Sequence, residues 1–473
     1  VYIIHHRKLE KREIEMKRYV LFVCLLLSGL AGVYAQSIAP FQKGDRIAFV
    51  GNSITCGGHY HSYIWLYYMT RFPDQRIDIF NEGVGGDVAE MIYQRLDKVF
   101  EHEPTVVTLS FGMNDVGYMD FRKPGADTIA RNRVEKACRD YALIEEVYKK
   151  YPEVRKILIG SSPYDETSRF NKVAFPGKNT PIVDFLNARA RENQWGFVDF
   201  NRPMVAINQW EQAEDSMYTL CGKDRIHPST DGHLVMAYLF LKAQGLAGKP
   251  VADIRIDGAG KKVTRSDNCR VSDLSVSSDN LTFTYEAKSL PYPIDTSYYD
   301  NEKHTQADAL SVIPFMDEMN YEGLSVSGLS DGYYGLTIGG EFIGRFTARE
   351  LERGINMALL QNTPQYKQAM KIRQMNEERW LKERKMREFY WVEYNLMRKT
   401  GMLWACNEAA VDTLRKYRPH DIFLQWNGDL WLQYMHKGIR EDCVNEQQDL
   451  VNQIYEQNKP IPLRIEIKKF TDL

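Results

Sequence analysis

Ser53, Gly86, Asn114, Asp224 and His227 are residues whose types could together supply a nucleophile, its base and the donors for a tetrahedral oxyanion. A serine hydroxyl is a poor nucleophile at neutral pH unless a neighbouring base takes its proton, and His227 is the natural base. Asp224, three residues earlier on the same loop, can hold the imidazole in the right tautomer and stabilise the imidazolium. Glycine at position 86 lets a backbone N–H approach a substrate with no Cβ in the way. With the side-chain NH2 of Asn114 and the N–H of Ser53, it would offer a tetrahedral oxyanion three donors, each typically worth about 3 kcal/mol of barrier.

These residues stand in four blocks: Gly51-Asn52-Ser53, Asn81-Glu82-Gly83-Val84-Gly85-Gly86-Asp87, Gly112-Met113-Asn114-Asp115 and Asp224-Arg225-Ile226-His227-Pro228. Singly, each has an ordinary reading as a cap, a turn or a loop histidine. Their order, and the elements before them, carry the signal. The apolar runs Arg46–Val50, Ile77–Asn81, Val106–Phe111, Lys156–Gly160 and Gly196–Phe200 read as short buried strands. Helical patterns lie near His61–Arg71, Val88–His102, Thr128–Tyr151 and Pro181–Asn193, with a final one at Thr230–Ala243. Such alternation predicts an α/β fold, a three-layer α/β/α sandwich around a parallel five-stranded sheet. The first three blocks follow strands and the fourth lies on a late loop, so a doubly wound sheet can bring all four to one edge.

At these residues the sequence resembles the SGNH (GDSL-type) serine hydrolase superfamily. The match covers roughly 43–246, at Gly51-Asn52-Ser53, Gly86, Gly112–Asp115 and Asp224–His227. The resemblance implies Ser53 as nucleophile, His227 as base and Asp224 as its orienter. Ser53, Gly86 and Asn114 would form the oxyanion hole, in a flavodoxin-like sandwich that needs no metal or cofactor. One departure is Asn52, where the family usually has aspartate; it is not a triad member. An α/β-hydrolase elbow is disfavoured, because Gly-x-Ser-x-Gly would need glycine where Thr55 stands. Asp87 and Asp115 read as residues that fix the donor loops. His59-x-His61 could be a metal pair, but no complete ligand set accompanies it, and cleft lining or helix capping is preferred.

Beyond the first segment the period changes. A β-rich module is expected over 249–346, with a half-buried strand through Leu281, Phe283 and Tyr285 and a hairpin around Gly339-Gly340. It is either a glycan-binding accessory or a platform packed on the catalytic domain. A mainly helical segment follows over 347–473: a capping box at Thr347–Glu350, a long helix from Pro364 to about Arg398, helices at Ala409–Tyr417 and Cys443–Gln457, and a closing strand at Leu463–Lys468. The aromatic cluster Phe389-Tyr390-Trp391 reads as packing.

At 473 residues, 44% apolar and 26% charged, the chain has a globular composition and room for two or three domains. Met16-Lys17-Arg18, the apolar run Tyr19–Leu30 and Val33-Tyr34-Ala35 have the form of a signal peptide cleaved after Ala35, with residues 1–15 an upstream extension. The catalytic domain would then span 36–248, in a secreted or periplasmic protein. Removing 1–35 takes six of 61 basic and three of 63 acidic residues, leaving 55 against 60 and a net charge of −5. No single-sign block remains, which argues against nucleic acid or a membrane surface as partner. Six cysteines stay in the mature chain. Cys56 and Cys221 each lie three residues from a triad position and are the pair that could bridge.

The expected activity is that of an exported carboxylic ester hydrolase acting on an acyl ester through an acyl-enzyme, acetyl on a carbohydrate being the first choice. Alternatives are a lipase, lysophospholipase or thioesterase using longer acyl chains, or a non-catalytic glycan-binding protein on a hydrolase fold.

Overall fold

The computed structural model describes residues 38–121, 123–166, 180–297 and 304–470; the signal-peptide and cleavage expectation falls on residues outside these. Strands β1 (Arg46–Gly51), β2 (Asp78–Gly83), β3 (Val106–Phe111), β4 (Arg155–Gly160) and β5 (Gly196–Asp199) form one sheet in the order β2-β1-β3-β4-β5. Every neighbouring pair is parallel. The centre of the sheet is buried on both sides, and all six residues of β3 are buried, as a parallel sheet covered by helices requires.

The chain runs from β1 outward to β2 and then back across to β3. Right-handed crossovers therefore place helix Tyr60–Arg71 on one face and Ala126–Lys149 and Thr180–Asn193 on the other. Thr230–Ala243 packs beside Tyr60–Arg71. The expected single helix over Val88–His102 is two short ones, Ala89–Tyr93 and Leu96–Phe100. They are interrupted where the buried Arg95 turns inward to ion-pair with Asp87. Helix Asn201–Glu211 was not expected; Met204 and Asn208 bury one narrow stripe of it.

The next segment holds two sheets. Strands β6 (Ala252–Asp257), β7 (Lys262–Asp267), β10 (Glu322–Ser327) and β13 (Ile355–Asn356) form the first, and β8 (Cys269–Val276), β9 (Asn280–Ala287), β11 (Tyr333–Ile338), β12 (Glu341–Thr347) and β14 (Leu463–Lys469) the second. β14 is the expected closing strand, yet it lies between β9 and β11, paired antiparallel to both. By sequence it stands with the helical segment. Pairing partners well over a hundred residues away leave no local trace, and only the sheet shows that the chain returns.

The capping box at Thr347 and Glu350 is formed, with Gly354 ending that helix. The long helix runs from Pro364 to Val392 and continues as a π-turn over Glu393–Met397. There the buried Glu393 carboxylate accepts hydrogen bonds from the Trp404 N–H at 2.7 Å and Trp431 Nε1 at 2.8 Å. An unexpected helix, Ile422–Tyr434, precedes Lys437–Gln457.

The long helix lies on the outer side of Tyr60–Arg71, which explains why all twelve residues of the latter are buried. Asn376 donates to Ser62 Oγ at 3.0 Å, and the Arg379 guanidinium sits 4.5 Å from the Trp65 ring. A helix buried all round must be covered on two sides, by the sheet and by a second helix.

Candidate active site

Strand register delivers the first three blocks to one place. Gly51 stands abreast of Gly83 on one side and of Ser110 on the other. Ser53, Gly85-Gly86 and Gly112–Asn114 therefore leave the same edge of the sheet, where the strand order reverses about β1. Asn52 caps the short helix Ser53–Cys56, its Oδ1 accepting the Ile54 N–H at 3.0 Å. In that role it replaces the usual aspartate without loss, since only the oxygen is used; its buried Nδ2 has no partner among the described residues. Gly83 is required by proximity: a Cβ there would stand 2.2 Å from the Cys56 backbone nitrogen.

The fourth block folds back on itself. Gly222 N–H donates to the His227 carbonyl at 2.7 Å, and a bridge joins Cys221 to Pro228. Asp224 Oδ1 accepts the N–H groups of Ile226 and His227 at 2.9 and 3.0 Å, while Oδ2 meets His227 Nδ1 at 2.6 Å. The three-residue spacing thus lets one carboxylate close the turn and hold the ring that ends it. Burial pushes the Asp224 carboxyl upward, but the His227 hydrogen bond, its charge and the two backbone N–H groups outweigh it and hold the pKa below its ordinary value. An ionised Asp224 places the imidazole proton on Nδ1, so Nε2 is free to accept. It lies 2.8 Å from Ser53 Oγ, within reach for taking the serine proton.

Gly86 has φ +83°, a conformation that strains any residue with a Cβ. Among the described residues, neither its N–H nor that of Ser53 has an acceptor. Asn114 Nδ2 donates one hydrogen to the Asp87 carbonyl at 2.9 Å, and the other is unclaimed among the described residues. Three donors on the first three blocks are therefore left without an acceptor among the described residues. Asp115 and Asp87 hold the loops that carry them, as expected. Asp115 accepts Ala89 N–H at 2.8 Å and Gly112 N–H at 3.0 Å, and burial pushes its carboxyl up to about 6. Asp87 is paired to Arg95, which also donates to the carbonyls of Gly51 and Glu82 and so ties the first two blocks together.

His59 is the N-cap residue of helix Tyr60–Arg71 but makes no side-chain capping hydrogen bond. His59 stacks on Trp380 with ring centroids 3.7 Å apart. His61 is fully buried, its Nε2 3.2 Å from the Thr55 carbonyl, and burial brings its pKa down to about 4. Cys56 and Cys221, the pair that could bridge, are both free thiols. Cys221 Sγ faces the Pro163 carbonyl at 3.7 Å, and burial keeps both thiols protonated, Cys56 at about 11.

What sequence reasoning missed is the bed beneath these loops. One face of the long helix meets the chain just after the first block and then the second block. Trp380 Nε1 donates to the Gly58 carbonyl at 3.3 Å, Glu383 accepts the Asn81 N–H at 2.9 Å, and Arg387 pairs with Glu82 at 3.2 Å. The signal was present as a recurrence at 380, 383, 387 and 391, but its mixed charges resemble a solvated helix surface. Only burial reveals these as interface pairs.

Residues 49–235 match the GDSL-like lipase/acylhydrolase family, and residues 370–459 match the diltiazem deacetylase C-terminal helical domain. A gut microbial diltiazem-metabolizing enzyme of known structure is 42% identical, over 92% of this chain and 100% of that one, with a TM-score of 0.89. The chain belongs to the GDSL-like lipase/acylhydrolase family. It is a carboxylic ester hydrolase, which sets aside the non-catalytic alternative. Weaker likenesses are an acetylxylan esterase from Geobacillus stearothermophilus (20% identity, 43% of this chain, 95% of that one, TM-score 0.35) and a GDSL-like lipase from Parabacteroides merdae (20%, 44%, 98%, 0.36); at these scores they carry no argument. No curated protein matches at a significant level. Among the described residues of this acylhydrolase, no helix is long and apolar enough to cross a membrane, and no group of three or more His, Cys, Asp or Glu could hold a metal ion.

Proposed function

We propose that this acylhydrolase removes an acetyl group from its substrate through Ser53, with His227 as general base and Asp224 as its orienter. The observation that carries the reading is the unbroken contact chain from Ser53 Oγ to His227 Nε2 at 2.8 Å and from His227 Nδ1 to Asp224 at 2.6 Å. Ser53 Oγ attacks the acyl carbon as its proton passes to Nε2. The oxyanion is received by the N–H groups of Ser53 and Gly86 and by Asn114 Nδ2. Collapse expels the alcohol, which leaves with the proton from His227. Water, deprotonated by the same nitrogen, then frees acetate and the serine. No step calls on a cofactor.

The exported address read from residues 16–35 and the mature charge of −5 fit a soluble substrate, of which an acetylated carbohydrate is one reading. A second reading is an acetylated aromatic small molecule; it is supported by the full-length likeness to a diltiazem-metabolizing enzyme, helical segment included. Longer acyl esters remain the alternative on the acyl side. Acetate release from acetylated xylan or pectin and from diltiazem, set against p-nitrophenol release from long-chain p-nitrophenyl esters, ranks the three. On p-nitrophenyl acetate, Ser53→Ala lowers kcat by at least about 10³-fold; full activity in that variant would sink the mechanism. Amino-terminal sequencing of protein from the medium or periplasm, beginning at Gln36, tests export.

A further inference from the structure

The face of the long helix that passes the site loops ends on Trp391. A Cβ built on Gly85 would lie 3.1 Å from Trp391 Cδ1 and 3.4 Å from its Nε1. The indole edge therefore walls the turn whose next residue, Gly86, presents its N–H beside Ser53. From Trp391 the ring of Phe423 is 5.4 Å away, tilted by 37°, and Trp426 follows 5.4 Å beyond it, edge-on at 84°. Phe423 is 50% exposed and Trp426 66%, with Ile422 beside them at 48%. Docking of this helix does not need them, because Ile422–Tyr434 buries a different stripe, Leu424, Gly428 and Trp431. One apolar stripe suffices to pack a helix. A second one left in solvent costs solubility and marks a surface that binds something.

We propose that Trp391, Phe423 and Trp426 form the subsite for the alcohol portion of the ester, and that this portion is an aromatic ring system. The inference rests on the ester-hydrolase reading of Ser53. An acetyl group is far smaller than three successive rings, so the strip serves the other side of the scissile bond. Its side chains offer ring faces and edges with two indole N–H donors at most. The hydroxyls of a sugar call for a row of polar partners, whereas a flat apolar ring needs only the faces. The strip is continuous with the oxyanion turn through the Gly85–Trp391 contact, so a ring held there keeps the ester beside Ser53.

The test is the ratio of kcat/KM for 1-naphthyl acetate to that for ethyl acetate, followed by pH-stat on the full chain. Phe423→Ala and Trp426→Ala each lower this ratio about three- to tenfold, the scale of one aromatic contact. Trp391→Ala lowers it at least as much, with Trp391→Phe used beside it in case the alanine variant unfolds. A ratio that stays at the wild-type value in Trp426→Ala overturns the proposal, including the case in which that variant merely turns a dimer into a monomer. A larger loss on acetylated xylotriose than on 1-naphthyl acetate overturns the aromatic occupant. Binding of 1-naphthol, read by tryptophan fluorescence quenching, is scored separately. Weakened binding in Trp426→Ala supports the strip even if Ser53→Ala keeps ester turnover, a result that would sink the triad alone.

Discussion

Replacing Asn114 with alanine separates holding a loop from stabilising a charge. One hydrogen of Asn114 Nδ2 goes to the Asp87 carbonyl at 2.9 Å, in a partly buried bond. Its loss costs about 1 kcal/mol of stability, and about 1 °C in Tm for a protein of this size. The second hydrogen, unclaimed among the described residues, is available to the oxyanion beside Ser53. Losing such a donor removes about 3 kcal/mol from the transition state, which is roughly 10²-fold in kcat. An oxyanion forms only in the transition state, so KM for p-nitrophenyl acetate should change little. The two effects differ enough to be read from steady-state kinetics and a thermal melt on one preparation. A kcat within about threefold of wild type, alongside the lowered Tm, would show that Asn114 only braces the Asp87 loop, and the three-donor reasoning would fall.

Two further perturbations address the scaffold. Glu322 is fully buried, receives Tyr285 Oη at 2.9 Å and Gln365 Nε2 at 3.1 Å on one oxygen, and is pushed by burial from 4.5 to about 7. The folded state therefore keeps this proton where the unfolded chain has released it. Stability contributed by the protonated form is complete below pH 4.5 and is lost as pH rises through 7, by about 3 kcal/mol. Glu322→Gln should flatten urea midpoints across that window and raise them at pH 8; an unchanged pH profile would contradict the assignment. Arg387→Met leaves the buried Glu82 carboxylate with His102 at 2.9 Å and Arg95 at 3.7 Å, and should cost about 3 kcal/mol in urea unfolding. Adding Glu82→Leu should recover at least half of that loss, and a double variant no more stable than the single one would refute the pairing.

The catalytic half was legible in the sequence because its elements are local. Each strand of the parallel sheet is a short apolar run buried on both sides, so β3 falls at Val106–Phe111 as the pattern says. The candidate site was legible because the four blocks sit at strand ends, and the three-residue spacing of Asp224 and His227 is one turn of chain. The misreading at Val88–His102 arose where a side chain acted at a distance: Arg95 breaks the helix to reach Asp87.

By itself, then, the sequence determined the parallel sheet, the identity of the serine, histidine and aspartate that could react, and the glycine whose φ of +83° a larger side chain resists. These depend on hydrophobic period and short turns, which are properties of neighbouring residues. Only the tertiary structure decided that β14 returns to the second sheet, that Glu383 and Arg387 are buried against the second block, and that Trp391 flanks Gly85. Those contacts join residues about three hundred positions or well over a hundred apart. Charge and aromaticity on a helix look the same to the sequence whether the face meets water or an active-site loop, and packing is what distinguishes them.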